Sequence, residues 1–405
     1  MSDLELRTIQ PHERDAVLDL LGEWFGDRGF FARYFRHDPN FRDDLCFVAV
    51  DRGRIVSTVQ VFRRPIRVNG AVVQVGGVGN VFTTAEYRER GLASQLLTRA
   101  VAAMDQHSFD LSLLFAVRLA FYGRHGWQSH VRQLVFIEQS PAAYAEIRNA
   151  GRSTIEPFAA ADLEAVQRIY ESYNAGFSGP TVRDSRYWEG QIHFAGNPHE
   201  DFFVARDGDE IVAYARGTLL YQVYVVMEYG CLPGHEKAVA ELICHLLTTV
   251  AAAFPGVTAQ LAIAPSVQQG LRDRGLTLRL VEDVFWMWRI ISPARLAAKL
   301  GIPEAELERD DIFHWLLPPE RSVYWISDRF LLSQCPYRWP CSKRAACSAH
   351  GRYLNVRLSP SHQGWTANKL RGIVAPRWSA ALRTASTSGT ALRRVSERCR
   401  DLIEV

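Results

Sequence analysis

The sequence predicts an α/β protein of mixed sheets, an α+β plan laid out twice in tandem with the second copy degenerate, followed by a basic C-terminal extension. Three observations lead there. Residues 1–140 carry strand-like and helix-like patterns in the order strand, strand, strand, helix, strand, helix after an opening helix. Residues 154–291 return to that order more weakly. After residue 334, Ser, Thr, Gly, Arg and Pro take over, a composition without a core of its own. At 405 residues the chain exceeds one typical domain. Its segments are expected at 1–145, 153–291, 292–334 (helical) and 335–405 (basic, without independent order).

In the first segment, Val17, Leu18, Leu20, Leu21, Trp24 and Phe25 fall near helical spacing over residues 11–25. Leu45–Val50 and Ile55–Val61 read as strands joined at Asp51-Arg52-Gly53-Arg54, a hairpin turn. Val72–Val75 follows the turn at Asn69-Gly70 and continues or resumes through Val78–Thr83. From Gly91 to Asp105, Leu92, Leu96, Leu97, Val101 and Met104 share one helical face. Leu111–Val117 is a buried strand, and a short helix follows around Phe121. In the second segment the matching pieces are a helix over 161–175, a hairpin at Asp207-Gly208-Asp209, a strand over 223–229, a helix over 236–254, a strand over 260–264, and Val281–Ile291 to close that sheet.

Composition narrows the function classes. Hydrophobic residues are 47% and charged residues 22% of the chain, ordinary for a globular protein. No apolar run approaches the ~18–20 residues of a membrane span, and the acidic start Met1–Leu6 has no signal-peptide core. A soluble, cytoplasmic protein without a membrane partner is expected. The formal charge of +3 hides an asymmetry: 13 Lys or Arg stand against 3 acids from Cys335 to Val405, leaving 34 basic and 41 acidic residues before them. Cys46, Cys231 and Cys244 sit among apolar residues and are expected buried and reduced. Cys335, Cys341, Cys347 and His350 are zinc-type ligands without the paired spacing of structural sites, so no metal is expected. The basic tail carries no stacking platform or recognition helix, and a nucleic-acid partner is not expected.

The informative stretch runs from Gly79 to Ser94. A strand ends, a turn rich in charge and glycine follows, and an amphipathic helix begins. The first amides of that helix lack internal partners and carry the positive end of its dipole, which suits a pyrophosphate. Gly91 lets backbone approach without a Cβ, and Arg88 and Arg90 can add charge-assisted bonds.

Arg88-Glu89-Arg90-Gly91-Leu92-Ala93 resembles the Arg/Gln-x-x-Gly-x-Gly/Ala motif by which the GNAT superfamily holds acetyl-CoA. The resemblance implies that Val81, Phe82 and Thr83 line the pantetheine arm, with backbone groups of Val81 and Thr83 pairing like an added strand. It implies that Arg88, Glu89, Arg90, Gly91, Leu92, Ala93 and Ser94 hold the pyrophosphate. Phe121-Tyr122-Gly123-Arg124-His125-Gly126-Trp127 is similar to the family's Phe-Tyr-x-x-x-Gly-Phe signature. By that similarity Tyr122 is the general acid to the CoA thiolate; the alternative makes it an aromatic filling a sheet edge. Two departures stand out. Many relatives have Asn seven residues before the tyrosine, where this chain has Phe115, and Val72–Thr83 contains no acid to act as base. His125, one turn past Tyr122, reads as a surface histidine, and no base is assigned.

Residues 1–330 as a whole resemble the Eis-like, tandem-GNAT group, which implies two tandem GNAT-like domains. The second copy's turn, Glu228–Glu236, lacks the arginine and glycine pattern. Pro233 removes an amide and Glu236 places a negative charge there. One cofactor site is therefore expected, with Glu228 structural or substrate-lining. Trp24, Phe25 and Tyr34 are candidates for the acceptor pocket by resemblance, and Asp38, Asp43 and Asp44 for attracting a cation. The group's third domain and terminal carboxylate are not carried over to the tail and Val405. The implied activity is N-acetyl transfer from acetyl-CoA to a primary amine of a small molecule or peptide, with a homo-oligomer left open. Two alternatives stand beside it: a non-catalytic acyl-CoA-binding regulatory protein, and a tRNA-dependent aminoacyl transferase on a tandem GNAT-like fold.

Overall fold

A computed structural model describes residues 4–25, 28–137, 153–192, 200–220, 223–253, 258–262, 265–318 and 321–322. The basic tail, with Cys335, Cys341, Cys347 and His350, lies outside the described residues. Two seven-stranded mixed sheets form the frame. The first has the order β1 (Leu4–Thr8), β2 (Cys46–Asp51), β3 (Arg54–Val68), β4 (Ala71–Thr83), β5 (Leu111–Phe115), β14 (Trp286–Ile290), β6 (Gln128–Ser129). Its hairpins close through two-residue turns with left-handed backbone at Arg52-Gly53 and Asn69-Gly70, the geometry that matches the twist of paired strands.

One face of this sheet carries α3 (Leu92–Gln106) and the short α4 (Leu119–Gly123). Leu92, Leu96, Leu97, Ala100 and Met104 bury the apolar stripe of α3 against Val78, Leu114 and Met287. The other face is covered by α1 (Arg14–Phe25), α2 (Arg28–His37) and, from the far end of the chain, α9 (Pro293–Leu300) and α10 (Ile312–Leu316). The sequence pattern did not single out α2 as a helix. Its last turn is basic, and Phe31, Ala32 and Tyr34 form its buried stripe.

The second sheet has the order β13 (Leu278–Asp283), β7 (Arg132–Ile137), β12 (Thr258–Ala262), β11 (Val223–Cys231), β10 (Glu210–Leu220), β9 (Asp201–Asp207), β8 (Thr154–Pro157). Helices α5 (Leu163–Asn174), α6 (Ser185–Gly190), α7 (Glu236–Ala253) and α8 (Pro265–Arg272) complete the second half.

The sheets exchange a strand. β7, from the first half, lies between β12 and β13, and β14, from the second, lies between β5 and β6. This corrects the expectation that Val281–Ile291 is one strand closing the second sheet. Only the part up to Asp283 stays there. β5 is apolar on both faces and needs a partner on its open edge. Trp286, Met287 and Trp288 supply buried side chains to both faces. A line drawn at residue 145 or 153 consequently does not separate the sheets. The crossing is pinned where Arg132 meets Asp283 at 3.3 Å and lies 3.7 Å from the Trp286 ring, whose Nε1 donates to Asp283 at 2.6 Å.

His130 sits beside this crossing, buried, with Nε2 donating to the Leu317 carbonyl at 3.1 Å. Burial depresses it to about 4 from its ordinary 6.5. The unfolded chain takes up this proton first, so the stability held above 6.5 is lost as pH falls toward 4. One such group contributes at most about 1.4 kcal/mol per pH unit within that window. Urea unfolding of His130→Gln, which keeps a donor for Leu317, should show a shallower loss across the same window than the parent.

Candidate active site

The site begins with an irregularity in β4. The β3–β4 register pairs Thr58 with Phe82 but Gln60 with Gly79, so Asn80 and Val81 together oppose Val59. This β-bulge bends the strand. Asn80 adopts a left-handed φ of 52°, and its buried amide donates to Gln60 Oε1 at 2.6 Å. The parallel ladder between β4 and β5 ends at Val78 and Leu114. Beyond it the two strands part, and β5 is taken up by β14. The Phe82 carbonyl accepts from Ser57 Oγ at 2.9 Å, and the Thr84 amide donates to the Val56 carbonyl at 2.9 Å. Alternation along a strand then turns the backbone groups of Val81 and Thr83 toward the parted edge.

The turn after β4 leads into α3. Ala85–Tyr87 form one turn of 3₁₀-helix. Glu89 and Gly91 both have left-handed backbone, φ 62° and 74°, and Gly91 caps α3. Its carbonyl accepts the first helical bond, from the Gln95 amide at 3.0 Å, so the Leu92, Ala93 and Ser94 amides stand in the turn where a helix offers no acceptor. Arg88, Glu89, Arg90 and Gly91 are exposed, while Leu92 is buried as the anchor. Arg88 Nε donates to the Thr83 carbonyl at 3.2 Å, and the Arg90 guanidinium lies 4.7 Å from the Tyr87 ring. Tyr87 in turn donates to Asp51 at 2.5 Å, fastening the turn to the β2–β3 hairpin. The turn carries two exposed arginines and no Cβ at Gly91, features that suit a diphosphate.

Tyr122 stands on α4, 5% exposed, in the same apolar cluster as Val81, Leu92, Leu96 and Trp127. The bulged strand, the helix start and the Tyr122 ring thus contribute to one apolar cluster. The Tyr122 carbonyl accepts from the His125 and Trp127 amides at 2.9 and 3.2 Å, closing the turn that carries the ring. His125 is a half-buried ring 3.1 Å from Ser94 Oγ, which corrects its reading as a surface histidine. Burial, then the neighbouring Arg124 and Arg289 charges, lower its proton affinity.

Other expected residues stand elsewhere. Phe115 faces the opposite side of the sheet, against Phe285 and Trp286 at ring distances of 5.7 and 5.8 Å. Tyr34, 3% exposed, is a packing residue there, edge-on to Phe30 and Phe62. Trp24 and Phe25 end α1, and their side chains lie outside the described residues. Each acid expected to attract a cation already has an arginine: Asp38 with Arg64, Asp43 with Arg14, Asp44 with Arg42, at 2.6, 2.6 and 2.5 Å. Among the described residues no three metal-ligating side chains cluster, and no helix is long and apolar enough to cross a membrane.

The second sheet repeats the backbone plan and fills it. Its parallel ladder ends at Val226, and Met227 is the extra residue of a bulge opposite Arg216 and Gly217. There Glu228 receives both terminal nitrogens of Arg183, at 3.1 and 2.7 Å, and the Tyr214 hydroxyl at 2.8 Å. Arg216 approaches it at 3.5 Å and bonds Glu200 at 2.6 Å. At the start of α7, Glu236 itself accepts from the Gly234 amide at 3.3 Å. The position of a second cradle carries the chain's own Glu236 carboxylate. Glu228→Ala leaves two buried arginines short of charge and should cost about 3–5 kcal/mol of stability. Calorimetry should show the CoA stoichiometry of the folded variant unchanged.

The class follows from this geometry and from the comparisons together. The family described as an acetyltransferase (GNAT) domain matches residues 5–129, so this segment is a GNAT domain. A GNAT domain carries out acyl transfer from an acyl-CoA. Among curated relatives, an uncharacterized N-acetyltransferase of Streptomyces griseus is 25% identical over 340 residues, covering 76% of this chain and 80% of that one. One of Streptomyces avermitilis is 27% identical over 150 residues, 36% of this chain, and the matched part spans only 35% of that relative's length. Among solved structures, a GCN5-related N-acetyltransferase from Kribbella flavida superposes with a TM-score of 0.55 at 17% identity, covering 74% of each chain. That likeness is one of fold.

Proposed function

We propose that this protein moves an acetyl group from acetyl-CoA to a primary amine of a small molecule or peptide by direct attack. Val81, Phe82 and Thr83 offer the parted edge of β4 to the pantetheine arm, and the amides from Arg88 to Ser94 receive the pyrophosphate. The neutral amine attacks the thioester carbonyl, the C–S bond breaks, and Tyr122 gives its proton to the departing thiolate. The proton shed by the nitrogen passes to water, from which the phenol is restored. One observation carries the reading: the Asn80–Val81 bulge opens the sheet where the α3 cradle and the Tyr122 ring share one apolar cluster. The repeated bulge in the second sheet supports a tandem arrangement with one working cofactor site.

Incubating the protein with acetyl-CoA and a panel of monoamines, polyamines, aminoglycosides and peptides, with free thiol measured, tests the activity. Thiol release that depends on one amine supports it. The lack of a carboxylate along β4 gives weight to one rival, a non-catalytic acyl-CoA-binding protein. That rival predicts tight CoA binding with no amine-dependent thiol release.

A further inference from the structure

Arg289 comes from β14, the strand that returns from the second half to the first sheet, and pairs in register with Ser112 of β5. Trp286 and Trp288 on that strand face the α9 side, while Met287 belongs to the cluster beneath α3. Alternation places Arg289 on the Met287 side. There the guanidinium lies 5.3 Å from the Trp127 ring centroid, and Nη1 donates to the His125 carbonyl. The Trp127 indole is held by Ser112 Oγ at 3.2 Å. Among the described residues Arg289 has no carboxylate partner. A partly desolvated cation of this kind is costly for packing alone.

Its contacts converge on the turn that carries the phenol. The His125 amide donates to the Tyr122 carbonyl, the His125 carbonyl is gripped by Arg289, and the His125 ring reaches Ser94 in the first turn of α3. We propose that Arg289 is a positioning residue for acyl transfer: through the His125 carbonyl it fixes the Tyr122–Trp127 turn, and with it the phenol relative to the α3 cradle. The inference rests on the reading of Tyr122 as proton donor. The second half of the chain therefore takes part in the first half's chemistry through one side chain.

Misplacing a reacting group by about 1 Å costs on the order of 10²-fold. Arg289→Met should lower kcat about 10- to 100-fold, with the KM for acetyl-CoA little changed. Arg289→Lys keeps a charged donor and should recover part of that loss. In a Tyr122→Phe background, Arg289→Met should add little, because its effect passes through the missing hydroxyl. Parent-like kcat in Arg289→Met, or an equal loss with and without the Tyr122 hydroxyl, overturns the proposal. If Arg289→Met does not fold, Arg289→Gln replaces it in the same comparison. Parent-like turnover in Tyr122→Phe alone defeats the proton-donor reading instead, so the two failures are told apart.

Discussion

Tyr122→Phe is expected to slow turnover by about 10²- to 10⁴-fold, the span of general acid catalysis by one positioned group. That corresponds to roughly 3–5 kcal/mol of transition-state stabilisation. CoA affinity should stay close to that of the parent, because the cradle amides, Arg88 and Arg90 are untouched. The ring's packing with Phe121 and Trp127, at centroid distances of 5.0 and 6.4 Å, is kept by phenylalanine. The loss should therefore appear in kcat and not in the KM for acetyl-CoA. Steady-state thiol release together with calorimetric CoA binding measures both. Equal kcat in the two proteins would remove Tyr122 from the chemistry.

Gly91→Val is expected to weaken CoA binding by about 10-fold or more. A left-handed backbone costs a side-chain-bearing residue roughly 1–2 kcal/mol, and a β-branched residue fits it worst. The fold itself has room, since a Cβ at Gly91 would meet only Gln95 Nε2 at 3.8 Å. The side chain would instead stand where a phosphate approaches the Leu92–Ser94 amides. Calorimetry with CoA and with pantetheine separates the effects. CoA should lose affinity strongly, and pantetheine, which lacks the diphosphate, should lose little. Unchanged CoA affinity would show that the diphosphate binds elsewhere.

The local elements around the candidate site were legible because their signals lie close together in sequence. The α3 stripe, the Gly91 turn and the Phe121–Trp127 stretch are each short; helix period and glycine placement report the first two, and resemblance to a family motif reports the third. The β4 bulge was less legible, since register is a relation between two strands, and nothing at Asn80 announces Gln60 as its partner. The strand exchange was illegible for the same reason. Val281–Ile291 reads as one run, and only the unpaired edge of β5, about 170 residues upstream, divides it. Asp38, Asp43 and Asp44 looked like a cation site because their arginines, Arg64, Arg14 and Arg42, lie at scattered positions. The contact between His125 and Ser94 and the grip of Arg289 join residues too distant in sequence for any spacing rule.

The exchange of β7 and β14 also limits how this protein can be taken apart. A gene cut between the two apparent repeats would yield two polypeptides, each lacking an inner strand of its own sheet and each carrying an orphan strand, β7 in the first and β14 in the second. Neither product contains a complete hydrogen-bonded ladder, so each would expose raw strand edges and tend to aggregate. Unfolding should accordingly proceed as one cooperative event across both sheets. Swapping one repeat for that of a relative would succeed only if the traded strand travelled with the sheet it completes.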